Sequence, residues 1–380
     1  MNIIGLITEY NPFHNGHKYQ IDKIKEMYPD SIIIVVTSSH FTQRGEISLV
    51  DKWTKTKISL SMGIDIVIEL PFIFSTQSAD TFAHASIKLL NELKIDTLVF
   101  GSETNDIELF KKLADIQLNS SDFNTHVQSF LDKGDNYPTA LSNALKALNN
   151  DTVIKPNDLL AVSYNKEVLL QNPNINLVSI KRTNDYHDTT SNEEIVSASN
   201  IRAKLINNED VSKLVPSITY EYIKDIKPNN EKLFELLKYK IISENNLEKY
   251  LTVDEGIENR LFNNILESNS LEEFISKIKT KRYTYNKLNR MFIHILVGLT
   301  KEEKVTYNSP FYIRILGMNK TGQEYLSSIK KDIKLQMISK WEKDNQNLQI
   351  EFKATCIYSL LVNKPELIEQ EYKNKVIIVD

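Results

Sequence analysis

The sequence predicts an α/β fold, a doubly wound parallel sheet, followed by a mainly α-helical region. Three observations carry this. Short apolar runs alternate with amphipathic stretches over the first 200 or so residues. The run SIIIVVT is almost wholly β-branched and apolar, as expected for a strand covered on both faces. Beyond about Pro216 strand-like runs become rare and helical spacing takes over.

The elements follow in order. NIIGLI reads as a strand. GHKYQIDKIKEMY places Tyr19, Ile21, Ile24 and Met27 at helical spacing. SIIIVVT is the second strand, VDKWTKTKISLSM a helix, and DIVIEL a third strand closed by Pro71. ADTFAHASIKLLNEL is a helix, DTLVFG a fourth strand, and INLVSI a fifth after helical patterns that run to Leu169. This βαβα rhythm predicts the parallel sheet. A boundary is expected at LVPSITYEY, which gives a first domain of residues 1–216 and a second region of 217–380. Within the second, NEKLFELLKYKIISE, LEEFISKIKT and YNKLNRMFIHILVGL have helical periodicity, and KVIIVD reads as a short strand.

With 380 residues, the chain is long enough for two or three domains. Cys356 is its one cysteine, so a disulfide framework within the chain and a cysteine-rich zinc site are excluded. The first residues lack the charged and long apolar regions of a signal peptide, and no apolar run reaches the roughly 20 residues that span a bilayer. The expectation is a cytoplasmic protein with no membrane contact and no stable protein partner. A net charge of −4 means that any nucleic-acid surface must be local.

Chemistry concentrates in PFHNGH, just after the first strand and at the start of the first helix. Ligands of open α/β sheets bind beyond the carboxyl ends of the strands. A helix start offers free N–H groups and a positive dipole end to phosphate. Gly16 lets a ligand approach the backbone. His14 and His17, three residues apart, share one helix face and can direct ring N–H groups at one phosphate. The competing reading is a pair of capping or core histidines. Zinc is disfavoured, because two histidines without a cysteine make a poor ligand set. No GxxxxGK[ST] or GxGxxG occurs, so the phosphate site must be of the histidine type.

A second constellation, VSASNIRAKL, lies about 180 residues later. Ser197 or Ser199 caps a helix there, and Arg202 stands one turn inside, placed for a second phosphate. An ordinary capped surface helix is the alternative.

HxGH with a distal SxSxIR resembles the HIGH-type nucleotidyltransferases related to class I aminoacyl-tRNA synthetases. GLITEYNPFHNGH, FTQRGE, DIVIELP, DTLVFGSE, PNDLLAVSY, IKRTNDYHD and SASNIR come in the order seen in the tRNA(Met) cytidine acetate ligase family, and VDEGIENRL and TKRYTYNKLNR extend the likeness over nearly the whole chain. The resemblance implies a Rossmann-like catalytic domain and a tRNA-binding helical region. It implies ATP as substrate, with Mg2+, and acetate activated as acetyl-adenylate with release of pyrophosphate. The acetyl group then passes to the exocyclic amine of the wobble cytidine of elongator tRNA(Met). By the same resemblance the nucleotide-binding residues fall on Ile7, Thr8, Glu9, Tyr10, Asn11, Pro12, Phe13, His14, Asn15, Gly16, His17, Lys18, Tyr19 and Gln20, and on Gly101, Asn157 and Arg182. From the readings above, His14, His17 and Arg202 are the expected catalytic residues, and Ser197 and Ser199 are added to the nucleotide site. From the residues themselves, Gly101 is equally a turn glycine and Asn157 a helix cap. Arg182 has Asp185 or Asp188 as a possible ion-pair partner. Ser39 and His40 stand where the family commonly has Gly-Asn before the aromatic. Gln43 and Arg44 are retained and are assigned to the mouth of the site.

Between Ser276 and Arg290 the chain carries Lys277, Lys279, Lys281, Arg282, Lys287 and Arg290, no acid, and Tyr283 and Tyr285 interleaved. Cations that neutralise phosphates and aromatics that stack on unpaired bases suit RNA, and Lys279, Lys281, Arg282, Tyr283, Lys287 and Arg290 are the expected RNA-binding residues. A solvated helix face is the plainer reading. Two other functions remain open at this point: a small-molecule adenylyltransferase, which has no need of the basic helical region, and a non-catalytic RNA-binding factor with a remnant nucleotide pocket.

Overall fold

The β-branched runs become strands β1 (Ile3–Thr8), β2 (Ile32–Ser38), β3 (Ile66–Leu70), β4 (Thr97–Ser102) and β5 (Asn176–Lys181). The structure is a computed structural model that describes residues 1–149, 156–182, 193–228, 230–341, 345, 348–373 and 375–380, the side chains of 156 and 157 excepted. All of β2 is buried, which is why it reads as one continuous apolar run. Its side chains alternate between two cores: Ile32, Ile34 and Val36 face one, and Ile33 and Val35 join Ile4 and Leu6 in the other.

The five strands pair in parallel in the order β5-β4-β1-β2-β3. The chain moves outward from β1 to β3, then returns to the other side of β1 for β4 and β5. The reversal between β1 and β4 opens a crevice beyond the strands' carboxyl ends. Helix α1 (Asn15–Met27) follows β1 directly, and α2 (Lys52–Ser61) follows β2.

Three further strands come from beyond residue 216. β6 (Tyr312–Asn319) pairs antiparallel with β3. β7 (Gln336–Ile338) runs along the first half of β6 and β8 (Ile377–Val379) along the second. The sequence reading anticipated β8 and missed β6 and β7. The rest of 217–380 is mainly helical, as expected, with helices that include Glu231–Ser243, Leu271–Ile278, Tyr285–Val297 and Gln349–Val362. The boundary expected at residue 216 therefore does not interrupt the sheet.

A seam of buried charges fastens the late segment to the early one. Lys52 meets Glu69 at 2.8 Å and Glu371 at 3.0 Å, and Arg314 meets Glu371 at 2.6 Å and Glu69 at 3.0 Å. None of these side chains is more than 4% exposed. His294 makes a second tie: its ring lies between Thr76 and Thr252, 3.1 Å from each hydroxyl. No helix among the described residues is long and apolar enough to cross a membrane.

Candidate active site

The crevice is lined at the end of β1 by Ile7 to Asn11, at the end of β4 by Phe100 and Gly101, and beyond β5 by Arg182. It has two lobes, of about 550 and 1200 Å³, that share His14, His17, Gln20, Gly101, Arg182 and Ser197. The smaller lobe adds Tyr19, Gly16 and Ile180; the larger adds the loop from Thr42 to Glu46, an apolar wall of Phe82, Phe100 and Leu160, and Arg202.

His14 and His17 are capping residues and cleft residues at once. His14 is the N-cap of α1, and its Nδ1 accepts the Gly16 N–H at 3.0 Å. His17 reaches back, and its Nδ1 accepts the His14 N–H at 3.2 Å, which completes a capping box built from imidazoles. The rings stack with centroids 3.8 Å apart. A nitrogen that accepts a hydrogen bond carries no hydrogen, so each neutral ring bears its proton on Nε2. Burial, with Arg182 and Arg202 close by, pushes His14 down to about 3. Burial, then His14 and Arg182, hold His17 well below the usual imidazole range. Both rings are thus fixed neutral donors at the positive end of a helix dipole. Gly16 earns its place by a contact the sequence did not reveal: a Cβ there would lie 2.8 Å from Cε1 of His14, so only glycine lets that ring fold over the helix start.

Of the expected nucleotide residues, Pro12, Phe13, Asn15 and Lys18 do not line the cleft. Phe13 is buried beneath it, its ring 4.7 Å from Tyr10 and 5.4 Å from His17. Asn15 donates to the carbonyls of Glu194 and Lys213, which ties α1 to the segment around SASNIR. Lys18 pairs with Asp22 on the exposed face of α1. Gly101 packs against the stem of Arg182, whose Cγ lies 3.5 Å from where a Cβ would stand. Burial holds Arg182 below its ordinary range, with Glu103 opposing and Arg44 adding to the effect. The side chain of Asn157, and Asp185 and Asp188, lie outside the described residues.

Ser197 caps the helix Ala198–Ile206 by accepting the Asn200 N–H, and its hydroxyl lies 2.8 Å from that of Ser199. Arg202 donates to the Asn11 carbonyl and to Glu46, both at 2.8 Å. The arginine expected to meet a second phosphate is held by a carboxylate. Sequence reading missed Glu46, because the two lie about 150 residues apart and only the fold joins them.

Glu46 belongs to the loop Phe41–Leu49. The loop is fastened to the cleft by the Gln43 N–H, which donates to Glu9, and by Asn11, whose Oδ1 accepts the Leu49 N–H at 2.9 Å. It is fastened to the helical region by Arg290, which donates to the Gln43 carbonyl at 3.3 Å. Gly45, at φ +76°, lies against the backbone of Asn289 and Arg290, where a Cβ would come within 2.4 Å of an amide nitrogen. His40 is buried, stacks on Tyr358 at 4.4 Å and meets the Thr355 hydroxyl, which makes it a packing residue. Beyond the loop lies a second groove of about 1650 Å³; Glu46 and Arg202 line both spaces, and Tyr285 and Asn289 border the groove from the helical side.

The basic stretch is dispersed by the fold. Tyr283 is buried, and its hydroxyl donates to the Asp254 carbonyl, so it is not a platform for stacking a base. Lys287 sits 4.0 Å over the Tyr283 ring, and Arg290 is committed to the loop. Arg282 pairs with Glu255 at 3.1 Å. Asp254 and Glu255 supply acids that the stretch itself lacks. Lys279, Lys281, Arg282 and Tyr285 remain on the surface, with Lys279 stacked 4.9 Å over the Tyr285 ring.

A switch-point crevice with neutral histidines at a helix start and a facing Ser-x-Ser-x-Ile-Arg helix defines a HIGH-type nucleotidyl transferase, and residues 1–374 match the HIGH Nucleotidyl Transferase family. The chain is similar to the tRNA(Met) cytidine acetate ligase of Clostridium perfringens, 39% identical over 95% of this chain and 96% of that one. It is 36% identical to that of Anoxybacillus flavithermus over 98% and 99%. Crystal structures of Thermotoga maritima TmcAL superpose over 100% of both chains: the apo form with TM-score 0.90 and 29% identity, and the form bound with alpha-thio ATP with 0.87 and 28%. The chain belongs to the tRNA(Met) cytidine acetate ligase family.

Proposed function

We propose that this protein uses ATP to activate acetate as acetyl-adenylate and then acetylates the exocyclic amine of the wobble cytidine of elongator tRNA(Met). The observation that supports it best is the imidazole capping box. It presents two preset Nε2–H donors where charge grows on the α-phosphate as acetate attacks, with no reorganisation needed at that moment. Acetate oxygen attacks α-phosphorus, and pyrophosphate leaves toward Arg202 and the start of the helix Ala198–Ile206. The adenosine occupies the smaller lobe, between Gln20, Gly101 and Arg182. The acetate methyl lies on the apolar wall of Phe82, Phe100 and Leu160. Mg2+ enters this reading as the counter-ion of the ATP phosphates. Among the described residues no group of three or more His, Cys, Asp or Glu converges on a metal position, so the phosphates would supply its main protein-independent ligands.

The tRNA approaches from the helical side, over the surface of Lys279, Lys281, Arg282 and Tyr285, and the acceptor base reaches the cleft through the groove beyond the loop. Acetate-dependent exchange of labelled pyrophosphate into ATP, followed by transfer of labelled acetate to tRNA(Met), tests the reading. Exchange that ignores acetate would favour a small-molecule adenylyltransferase, and no exchange at all a binding factor.

A further inference from the structure

The transfer step must dispose of a proton. The cytosine amine attacks the acyl carbon, a C–N bond forms, and the C–O bond of the mixed anhydride breaks. AMP leaves with the electron pair, and the nitrogen sheds one hydrogen as a proton. His14 and His17 cannot take it, because their Nδ1 lone pairs accept backbone N–H groups and Nε2 already carries hydrogen. Arg44, Arg182 and Arg202 are donors only. Among the described residues that line the cleft, the carboxylates are Glu9 and Glu46, and Glu46 is bound to Arg202 at 2.8 Å.

Glu9 directly follows β1, the middle one of the five parallel strands. One of its oxygens accepts the N–H of Gln43. The other accepts no hydrogen bond from the described residues and is not among the buried side-chain atoms that lack a partner, so this half-buried carboxylate keeps one oxygen open to the cleft. A carboxylate contributes nothing to holding a triphosphate, which repels it. The peptide that fixes Glu9 belongs to the loop separating the nucleotide cleft from the second groove, so Glu9 stands on the cleft side of the path an amine takes from that groove.

We propose that Glu9 is the proton acceptor for the amine in acetyl transfer, an assignment that rests on the ligase reading above. The charged and titratable groups facing it are Arg44 and Glu46 from the loop, Lys55 from α2, and Tyr164 from the helix Pro156–Gln171. Burial holds the carboxyl above its ordinary range and Glu46 adds to this, while the Gln43 peptide, Arg44 and Lys55 oppose. A carboxylate so placed is a stronger base near neutral pH than an exposed one. The proton passes from it to water once AMP and the tRNA leave.

The test compares wild type, Glu9→Gln and Glu9→Asp, as intact chains, in acetate-dependent pyrophosphate exchange and in acetyl transfer to tRNA(Met) from enzyme-bound acetyl-adenylate. The expected result is a ratio of transfer to exchange that falls about 100-fold or more in Glu9→Gln and recovers in part in Glu9→Asp. Wild-type transfer should rise with pH along a limb that Glu9→Gln lacks. Hydroxylamine, a stronger nucleophile that needs no base, should take acetyl from the bound adenylate of Glu9→Gln with a far smaller loss than transfer to tRNA shows. Parallel loss of exchange and transfer, an unchanged ratio, or a pH limb retained in Glu9→Gln would overturn the assignment. If Glu9→Gln does not fold, the Glu9→Asp ratio and the wild-type pH limb decide. Wild type without acetate-dependent exchange would instead overturn the ligase reading itself.

Discussion

The side chains that matter most do two jobs each, and mutation will show both. His17→Ala removes a donor from the cleft and the acceptor of the His14 N–H. Acetate-dependent pyrophosphate exchange should fall by about 10²–10³, while tRNA affinity, measured by filter binding, should stay near wild type. The pH response follows from the buried rings. His14 and His294 are both pushed down to about 3, so the unfolded chain binds protons that the native one refuses. Stability is intact above about pH 6.5, the ordinary histidine value, and is lost as pH falls from there toward 3, by about 1.4 kcal/mol per unit for each ring at most. Thermal melts between pH 7.5 and 5 should show this decline, and NMR should find both rings still neutral at pH 5. The tautomer was not legible in the sequence, since HxGH does not say that each Nδ1 is spent on a peptide N–H. That bond also removes the lone pair with which an imidazole would capture an activated acyl group.

Among the elements, the loop Phe41–Leu49 is the joint between nucleotide and RNA sides. Gly45→Ala forces a Cβ into the backbone of the helix Tyr285–Val297 at an unfavourable φ, and should cost about 1–3 kcal/mol in chemical denaturation and reduce exchange and transfer together. On the surface, replacing Lys281 and Arg282 by alanine should weaken tRNA binding and reduce the slope of log affinity against log salt by about 1.4, two single-strand phosphate contacts, with exchange spared. The strands β1 to β3 were legible because they are rich in branched apolar residues, and β4 and β5 because their short apolar runs continue the alternation with helical patterns. β6 was not: YIRILGMN places Arg314 in the middle of a strand, and only Glu69 and Glu371 make that burial tolerable. The basic stretch was over-read for a related reason. Its neighbours Asp254 and Glu255 come from about 30 residues earlier, and nothing local says that Tyr283 turns inward.

Across the whole molecule, the sheet is one structure built from both ends of the chain. Ending the chain after Ser217 would strip β3 of β6 and leave Lys52 and Glu69 buried without Arg314 and Glu371. Breaking a buried pair costs about 3–5 kcal/mol, so that fragment should be insoluble on expression and Arg314→Met should lower the unfolding free energy of the full chain, measured by chemical denaturation, by a comparable amount. A soluble, adenylating fragment would refute this. The seam also orders events at the ribosome. β1 to β5 and most of the cleft emerge early, yet β3 keeps a bare edge, and Lys52 and Glu69 have only each other, until positions 314 and 371 have been made. The nascent chain therefore waits on the segment that carries Arg314 and Glu371 to seal the domain that was synthesised first.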